Sequence, residues 1–235
     1  MRYRRLALPA LMLLLLASLP MRQALSWAGA ERWLAASSVD GTVWSGVLHG
    51  ARLGQMSLGD ARLSLDPFSL LTGKMGFHFS ADGALTGAGV IAPVGALRAA
   101  QLRFPMQALA SNLPLRGDMR LSHLDIAFRN GLCSRAQGTA LVERAWLEQG
   151  GVALTPEISL RGILGCAGNA AVLRLSGRSG GAEIHSILRI AADGAYRMES
   201  RVTGLGRGGE ALAAKAGFRP EADGYARVDQ GMLAL

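Results

Sequence analysis

The sequence is poor in the residues on which most catalytic and metal sites depend. Its 235 residues include two cysteines, four histidines and only two lysines. Neither a Ser-x-x-Lys nor a His-Glu-x-x-His pattern occurs, so two common hydrolase signatures are excluded. Long stretches of 3.6-residue hydrophobic periodicity are also missing, which argues against a helical bundle.

The positive charge is nearly all arginine and does not indicate a nucleic-acid partner. The chain has 25 Lys+Arg against 17 Asp+Glu, a formal charge of +8. Four of the basic residues lie before residue 23, which leaves only +4 for the rest of the chain. After Arg22 no basic run is interleaved with aromatic residues, as a surface that binds nucleic-acid phosphates requires.

The N-terminus carries an export signal. Three arginines in the first five residues precede an apolar run from Leu6 to Met21. As a helix this run spans about 24 Å, a little less than the hydrocarbon core of roughly 30 Å. It therefore predicts either a marginal transmembrane segment or the apolar region of a signal peptide. Both interpretations place everything after Arg22 outside the cytosol.

We expect the signal to be retained as an anchor over residues 1–22. Ala24-Leu25-Ser26 resembles a cleavage site, but Arg22 separates it from the apolar run. Trp27 and other residues between Gln23 and Ala36 form a short amphipathic pattern, typical of a helix at a membrane surface. Residues 23–38 are thus predicted as a linker helix. A signal peptide that is removed from the mature chain is the alternative.

Residues 39–235 predict a domain that is mainly β. Short segments with two-residue alternation, such as Gly117 to Phe128 and Tyr196 to Val202, are separated by Gly, Asp and Asn. This pattern indicates antiparallel strands with one buried face, and the outward Arg and Glu indicate one solvated face. We predict a curved sheet or a sandwich. This part has two small helix candidates: Phe68 to Thr72, a short helical or turn element opened by Pro67, and Glu210 to Phe218, stopped by Pro220.

Two weak internal matches suggest a duplication. Gly41-Thr42-Val43-Trp44 recurs loosely at Gly138, and Ala81-Asp82-Gly83-Ala84 recurs identically at Ala192. Two similar β units, 39–118 and 119–235, would explain both matches. Chance in a chain rich in Gly and Ala is the alternative.

Cys133 and Cys166 are the only cysteines, and both lie in the exported part. In an oxidising compartment an isolated pair is most simply a disulfide. It would close a loop of about 34 residues, for which chain entropy gives roughly 3.5–4 kcal/mol. The loop holds two strand candidates, so the bridge would connect the ends of a hairpin. A redox site is the alternative, but no Cys-x-x-Cys spacing supports it.

The patterns that could mark a catalytic or metal site are incomplete. His123 with Asp125, and Glu183 with His185, stand two apart on predicted strands, yet no third ligand is near either pair. We therefore predict no metal site, and interpret these residues as surface groups.

Two glycine motifs match catalytic patterns only in part. Ser179 lies in a Gly-x-Ser-x-Gly motif, but another strand follows it where a nucleophile elbow needs a helix. Gly204, Gly206 and Gly209 form Gly-x-Gly-x-x-Gly without the surrounding βαβ unit of a dinucleotide site. No catalytic or cofactor-binding residue is predicted.

Several short motifs resemble one protein family. Gly41-Thr42-Val43-Trp44-Ser45-Gly46 opens the exported region, and the segment from Leu63 to Met75 is an apolar strand followed by Asp-Pro and a turn. Two cysteines flank a strand pair, and Gly217-Phe218-Arg219-Pro220 precedes a closing strand. Together with the N-terminal anchor, these features resemble the type II secretion system protein N family.

The resemblance implies a periplasmic accessory subunit that is anchored in the bacterial inner membrane by one helix. It implies no enzyme activity and no cofactor, and its partners would be other subunits of the secretion apparatus. Contact through an exposed strand edge is the physical route that we expect. The alternative is a periplasmic lipid-handling protein, in which one sheet face provides an apolar groove.

Overall fold

The computed structural model describes residues 18–27, 34–53, 56–66, 76–92, 96–108, 115–149, 152–153, 157–205 and 209–232. Residues 1–17 lie outside these ranges, so the anchor between Leu6 and Met21 stays a prediction. Part of the family-like segment, residues 67–75, also lies outside them. Among the described residues, no helix is both long enough and apolar enough to cross a bilayer.

Strands dominate the described chain. Its first part contains α1 (Met21–Trp27), β1 (Leu34–Ala35), β2 (Ser38–Thr42), β3 (Ser45–Leu53), β4 (Met56–Leu65), β5 (Phe77–Asp82), β6 (Thr86–Ala92), β7 (Ala96–Pro105), a 3-10 turn (Met106–Ala108) and β8 (Leu115–Arg129). The second part contains β9 (Leu132–Gln149), β10 (Val152–Ala153), β11 (Ile158–Ala167), β12 (Ala170–Ser179), β13 (Ala182–Ala191), β14 (Ala195–Thr203), α2 (Gly209–Lys215), β15 (Arg219–Glu221) and β16 (Gly224–Met232).

The described strands form one antiparallel sheet. Its main order is β1-β3-β4-β5-β6-β7-β8-β9-β11-β12-β13-β14-β16-β15, with β2 beside β3 and β10 beside β9. Almost every strand therefore pairs with the next one in the chain, as short connections favour. The first and last strands do not pair with each other, so the sheet is open. The prediction of a mainly β, antiparallel fold is confirmed, and the sandwich alternative is wrong because the described strands share one sheet.

The two faces of the sheet differ in chemistry, as two-residue alternation requires. On β8, Leu115 and Met119 are buried on what we call the inner face, whereas Asp118 and Arg120 lie on the outer face. Ion pairs between neighbouring strands cover the outer face, including Arg120 with Glu143 at 3.5 Å. The predicted solvated face is confirmed.

The inner face carries two hydrophobic clusters. The larger one runs from β7 to β14 and includes Ala213, Ala216 and Phe218 from α2 and the residues after it. The smaller one lies at the N-terminal end of the sheet and contains Leu48, Ala51, Leu58, Ala61 and Ala81. Each end of the sheet thus has a short helix associated with the inner face.

The predicted linker helix over residues 23–38 is wrong in its second half. α1 ends at Trp27, and Leu34–Ala35 and Ser38–Thr42 are edge strands that pair with β3. Leu34 and Val39 pack against the smaller cluster from these strands. Pairing with β3 brings these apolar side chains onto the core, so tertiary context overrides the weak helical pattern.

The boundary predicted between residues 118 and 119 falls inside β8, which pairs continuously with both β7 and β9. The two halves are therefore parts of one sheet. The Asp82-Gly83 and Asp193-Gly194 matches both lie in turns between neighbouring strands. Gly41 lies near the end of β2, whereas Gly138 lies within the long strand β9. Similarity of the two units stays a prediction.

Candidate functional site

The end of the apolar run and the residues just after it pack on the sheet. The backbone N–H of Val43 donates to the carbonyl of Leu19 at 3.0 Å, and Pro20 forms a bridge with Thr42. Met21 opens α1, and its side chain is fully buried. We call residues 18–27 the docked segment, because they pack on the hairpin of β2 and β3 rather than leading away from it.

The family-like motif Gly41 to Gly46 forms the surface that receives this segment. A Cβ on Gly46 would lie 2.7 Å from Cγ of Met21, so only glycine leaves room for that side chain. Gly41, near the end of β2 and opposite Gly46, has φ +88°, a conformation that other residues adopt at a cost. The motif therefore needs glycine at both positions, at Gly46 for the space that Met21 occupies and at Gly41 for the backbone conformation.

Val43 connects the docked segment to the interior of the sheet. It is buried, it donates to Leu19 on one side, and its carbonyl accepts the N–H of Leu65 at 2.7 Å on the other. Sequence reasoning identified the motif but missed Leu19, Pro20 and Met21 as its partners. Met21 was interpreted only as the end of the apolar run, because an apolar residue there fits a membrane segment as well as a protein core.

A row of half-buried apolar side chains begins beside Val43. Leu65, Phe77, Ile91, Leu97 and Ile126 lie directly opposite one another on five consecutive strands, on the inner face. We call them the apolar row. Other inner-face positions, such as Met119, Val142 and Leu160, are 0–1% exposed. The inner face is therefore closed at one end of the strands and partly open at the end where the docked segment joins it.

The two edges of the sheet are finished differently. At the first edge, a break separates the two short strands β1 and β2, and the docked segment bridges to the end of β2. At the second edge, β15 covers only Gly224 to Ala226 of β16. Among the described residues, no strand pairs with the outer side of β16 from Val228 to Met232. Val228 and Met232 are 51% and 65% exposed there.

A buried ion pair fixes β16 beneath α2. Asp229 is 7% exposed, and Nε of Arg227 donates to its two oxygens at 2.9 and 3.0 Å. Nη1 of Arg227 also donates to the carbonyl of Ala216, just after α2, at 2.6 Å. A cation next to the C-terminal carbonyls of a helix is favourable. The geometry holds strand and helix together, and sequence reasoning did not find it.

A polar cluster links the first strands on the outer face. His49 lies 3.2 Å from Asp60 and 3.5 Å from Asp40, so one ring spans β2, β3 and β4. The backbone N–H of Gly50 donates to Asp60 at 3.1 Å. That hydrogen bond, with the one from His49, holds the pKa of Asp60 below its ordinary value. The three groups are exposed, and they stabilise strand order without enclosing a ligand.

The disulfide between Cys133 and Cys166 is confirmed, with a Cα–Cα distance of 5.6 Å. It joins the start of β9 to the end of β11, and these strands are neighbours in the sheet. The N–H of Cys133 also donates to the carbonyl of Gly168. The bridge therefore closes the open end of this strand pair, as the prediction of a pinned hairpin required.

The histidine pairs do not come together. His123, with φ +54°, lies at an irregularity in β8, and its neighbour Asp125 contacts Arg98 and Arg135 at 3.3 and 3.0 Å. Glu183 and His185 lie on β13, four strands away from β8. Arg178, and then His185, lower the pKa of Glu183. Within the ranges that the structure describes, no group of three or more metal-ligating side chains is found.

The glycine motifs have structural settings. Gly177 to Gly181 spans the end of β12 and the turn to β13, and no helix follows Ser179. Gly204 follows β14, an antiparallel strand, and Gly209 begins the seven-residue α2, while Gly206 lies outside the described residues. Neither motif has the strand–turn–helix setting that a nucleophile elbow or a dinucleotide site needs.

Comparison with known proteins gives one match. A family model described as "Type II secretion system (T2SS), protein N" matches residues 32–228. No curated protein and no solved structure matches the chain. The matched range begins after α1, contains the disulfide and α2, and ends within β16.

Proposed function

Because the chain belongs to the type II secretion system protein N family, we propose that it is a non-catalytic accessory subunit of that system, anchored in the bacterial inner membrane by one helix with its bulk in the periplasm. Membership supports the role in secretion. The anchoring, the periplasmic location and the action through protein contacts are our proposal.

The docked segment is the observation that carries the anchoring. Cleavage after Ser26 would remove Met21, which is fully buried, together with the carbonyl of Leu19 that Val43 uses. Loss of a buried methionine side chain destabilises a fold by about 2–5 kcal/mol. A chain that starts at Trp27 would therefore lack part of its own core, which favours retention of the N-terminal residues.

N-terminal sequencing of the protein from cell envelopes tests retention. We expect residues before Met21 to be present, and a start at Trp27 would contradict the proposal. A matched variant replaces residues 1–17 with a cleavable signal peptide, so that the chain from Ser18 onward is exported without the apolar run. We expect this variant to be released from membranes by carbonate and to support less secretion than the full chain.

Contacts with other secretion subunits are tested by crosslinking in membranes, with mass spectrometry to identify what is captured. Recovery of known subunits of the secretion apparatus supports the proposal, and their absence contradicts it. Ser179→Ala serves as the control for catalysis, because we expect secretion to be unchanged by it. Loss of secretion in a folded Ser179→Ala protein would indicate an enzyme.

The apolar row favours lipid handling as a second candidate function. Five apolar side chains in cross-strand register, none of them fully buried, begin where the docked segment joins the sheet. Lipid analysis of the protein extracted from membranes tests this. Ile91→Asn should lower the amount of co-purified lipid, whereas Val90→Asn, on the other face of β6, should not. If no lipid co-purifies, the secretion subunit remains as the single candidate function.

A further inference from the structure

We propose that the open edge of β16 pairs with the same edge of a second copy of this chain, in antiparallel orientation. Strands β16 of the two copies would become neighbours, and the two sheets would join into one. Exposed, regular strand edges add a further strand readily, since both sides gain backbone hydrogen bonds.

The edge is regular and held in place. β16 pairs with β14 without a shift from Tyr225 to Met232. The ion pair between Arg227 and Asp229 and the bond to Ala216 fix the strand before any partner arrives. A preorganised edge loses little conformational entropy on association. A proline and flanking charges, which protect edges, are found at Arg219–Glu221 of β15. Between Val228 and Met232 the one charged residue is Asp229, which faces inward and is neutralised by Arg227.

The residues from Val228 to Met232 are self-complementary about Gln230. In an antiparallel pair centred there, Val228 faces Met232 of the second copy, and Met232 faces its Val228. These are the two exposed apolar side chains of the edge, and they share the outer face because they are four residues apart. The two Gln230 amides face each other and can exchange hydrogen bonds.

The charges favour the same register. With Gln230 at the centre, Asp229 faces Gly231 of the second copy, so no carboxylates oppose each other. An antiparallel register centred on Asp229 would place the Asp229 carboxylates of the two copies opposite each other. A parallel, in-register pair of β16 strands would place them side by side. Like charges directly opposite destabilise strand pairs. One register therefore satisfies both the apolar and the charged residues.

A contact of five residue pairs is small, so a stable dimer depends on membrane anchoring. In this respect the inference rests on the proposed function. Two copies confined to one membrane meet at a high effective concentration, which converts weak pairing into a populated dimer.

The first experiment uses Gln230→Cys in the full chain, in membranes of cells that express it. At the symmetric centre the two introduced thiols lie within the roughly 7 Å Cα–Cα limit for a disulfide. We expect a crosslinked dimer after mild oxidation, with the Cys133–Cys166 bridge verified by peptide mapping. The control is Arg174→Cys, an exposed position on the central strand β12, which should stay monomeric. Equal crosslinking of the two variants would overturn the proposal.

The register has its own test. Val228→Cys and Met232→Cys, expressed separately, should give no disulfide dimer, because each cysteine faces a native residue of the other copy. Co-expressed, they should crosslink to each other. Dimers from either variant alone, or none from the mixture, would overturn the register.

A charge at the edge should break the pair. Val228→Asp introduced together with Gln230→Cys should lower the crosslinked fraction roughly tenfold, since both apolar contacts are lost. Circular dichroism and the intact native disulfide verify that the monomer folds. Crosslinking of Gln230→Cys to a different polypeptide only would overturn self-pairing.

The same membranes distinguish the two proposals. Carbonate extraction and secretion of a type II substrate report on the anchored subunit. If the protein is retained and secretion is normal but Gln230→Cys does not crosslink, only self-pairing fails. If carbonate releases the protein, the anchoring fails whatever the crosslinking shows.

Discussion

The two ends of the sheet show opposite ways of finishing a strand edge. At the N-terminal end, the docked segment bridges β2 through Pro20 and fills the space above Gly46 with Met21. At the C-terminal end, α2 packs on the inner face, and no described strand pairs with the outer side of β16 beyond Ala226. Each end carries a short helix, but only the N-terminal one comes with a segment that also bridges to an edge strand.

Packing on the core and pairing at the edge are separate features of this sheet. At the first edge the docked segment contributes to both, because Met21 packs above Gly46 and Pro20 bridges to Thr42. At the second edge, Arg227 and Asp229 hold α2 and β16 together, and no described strand pairs with β16 beyond Ala226. A fixed strand whose outer side has no described partner is suited to pairing with another strand.

The largest effect is expected at the C-terminal end. Arg227→Leu leaves the buried carboxylate of Asp229 without its cation and Ala216 without its donor. Breaking a buried pair in this way costs about 3–5 kcal/mol. We expect that loss in the free energy of unfolding, measured by urea denaturation of the purified chain. Arg201→Leu, which removes an exposed pair with Glu221, is the control and should cost about 1 kcal/mol or less.

The docked segment should be next in size. Met21→Ala removes a fully buried side chain and should lower the free energy of unfolding by about 2–5 kcal/mol. Gly46→Ala should also destabilise the natural chain, because its Cβ would lie 2.7 Å from Met21 Cγ. In the Met21→Ala background the contacts with Cγ and Cε are gone and only the Cβ at 3.0 Å remains, so the second change should cost less than in the natural chain. Additive losses in this double-mutant cycle would contradict the packing described here.

Acid should weaken the polar cluster of His49, Asp40 and Asp60. The folded pKa of Asp60 is lowered by Gly50 and His49, so its stabilising contribution is present above the unfolded pKa of about 3.9 and is lost as the pH falls through the folded value. We expect the stability difference between the natural chain and Asp60→Asn to shrink over that range. Asp40, which also faces His49, should be tested in parallel. A difference that is constant with pH would contradict the lowered pKa.

The smallest effect on stability is expected at the open edge. Val228→Thr and Met232→Thr alter exposed side chains, and surface changes of this kind shift the free energy of unfolding by about 0.5 kcal/mol or less. Chemical denaturation of the monomer measures this. A loss comparable to that of Met21→Ala would show that the edge serves the monomer's own stability.

Much of the sheet was predictable from particular residues. Alternation in Gly117 to Phe128 and Tyr196 to Val202 marked strands β8 and β14, and the two cysteines marked their bridge. Leu34 and Ala35 were assigned to a helix, because a short amphipathic stretch fits either state and only pairing with β3 decides between them. Met21 was missed as a core residue because apolarity alone does not distinguish lipid from protein surroundings.

Local periodicity and residue chemistry were enough to predict one apolar and one charged face, the turn positions and the cysteine pair. Three features became visible only in the folded chain: Pro20 bridges to Thr42, Met21 fills the space above Gly46, and Arg227 joins the end of α2 to β16. Those features depend on contacts between residues that are distant along the chain, and no local pattern encodes such contacts.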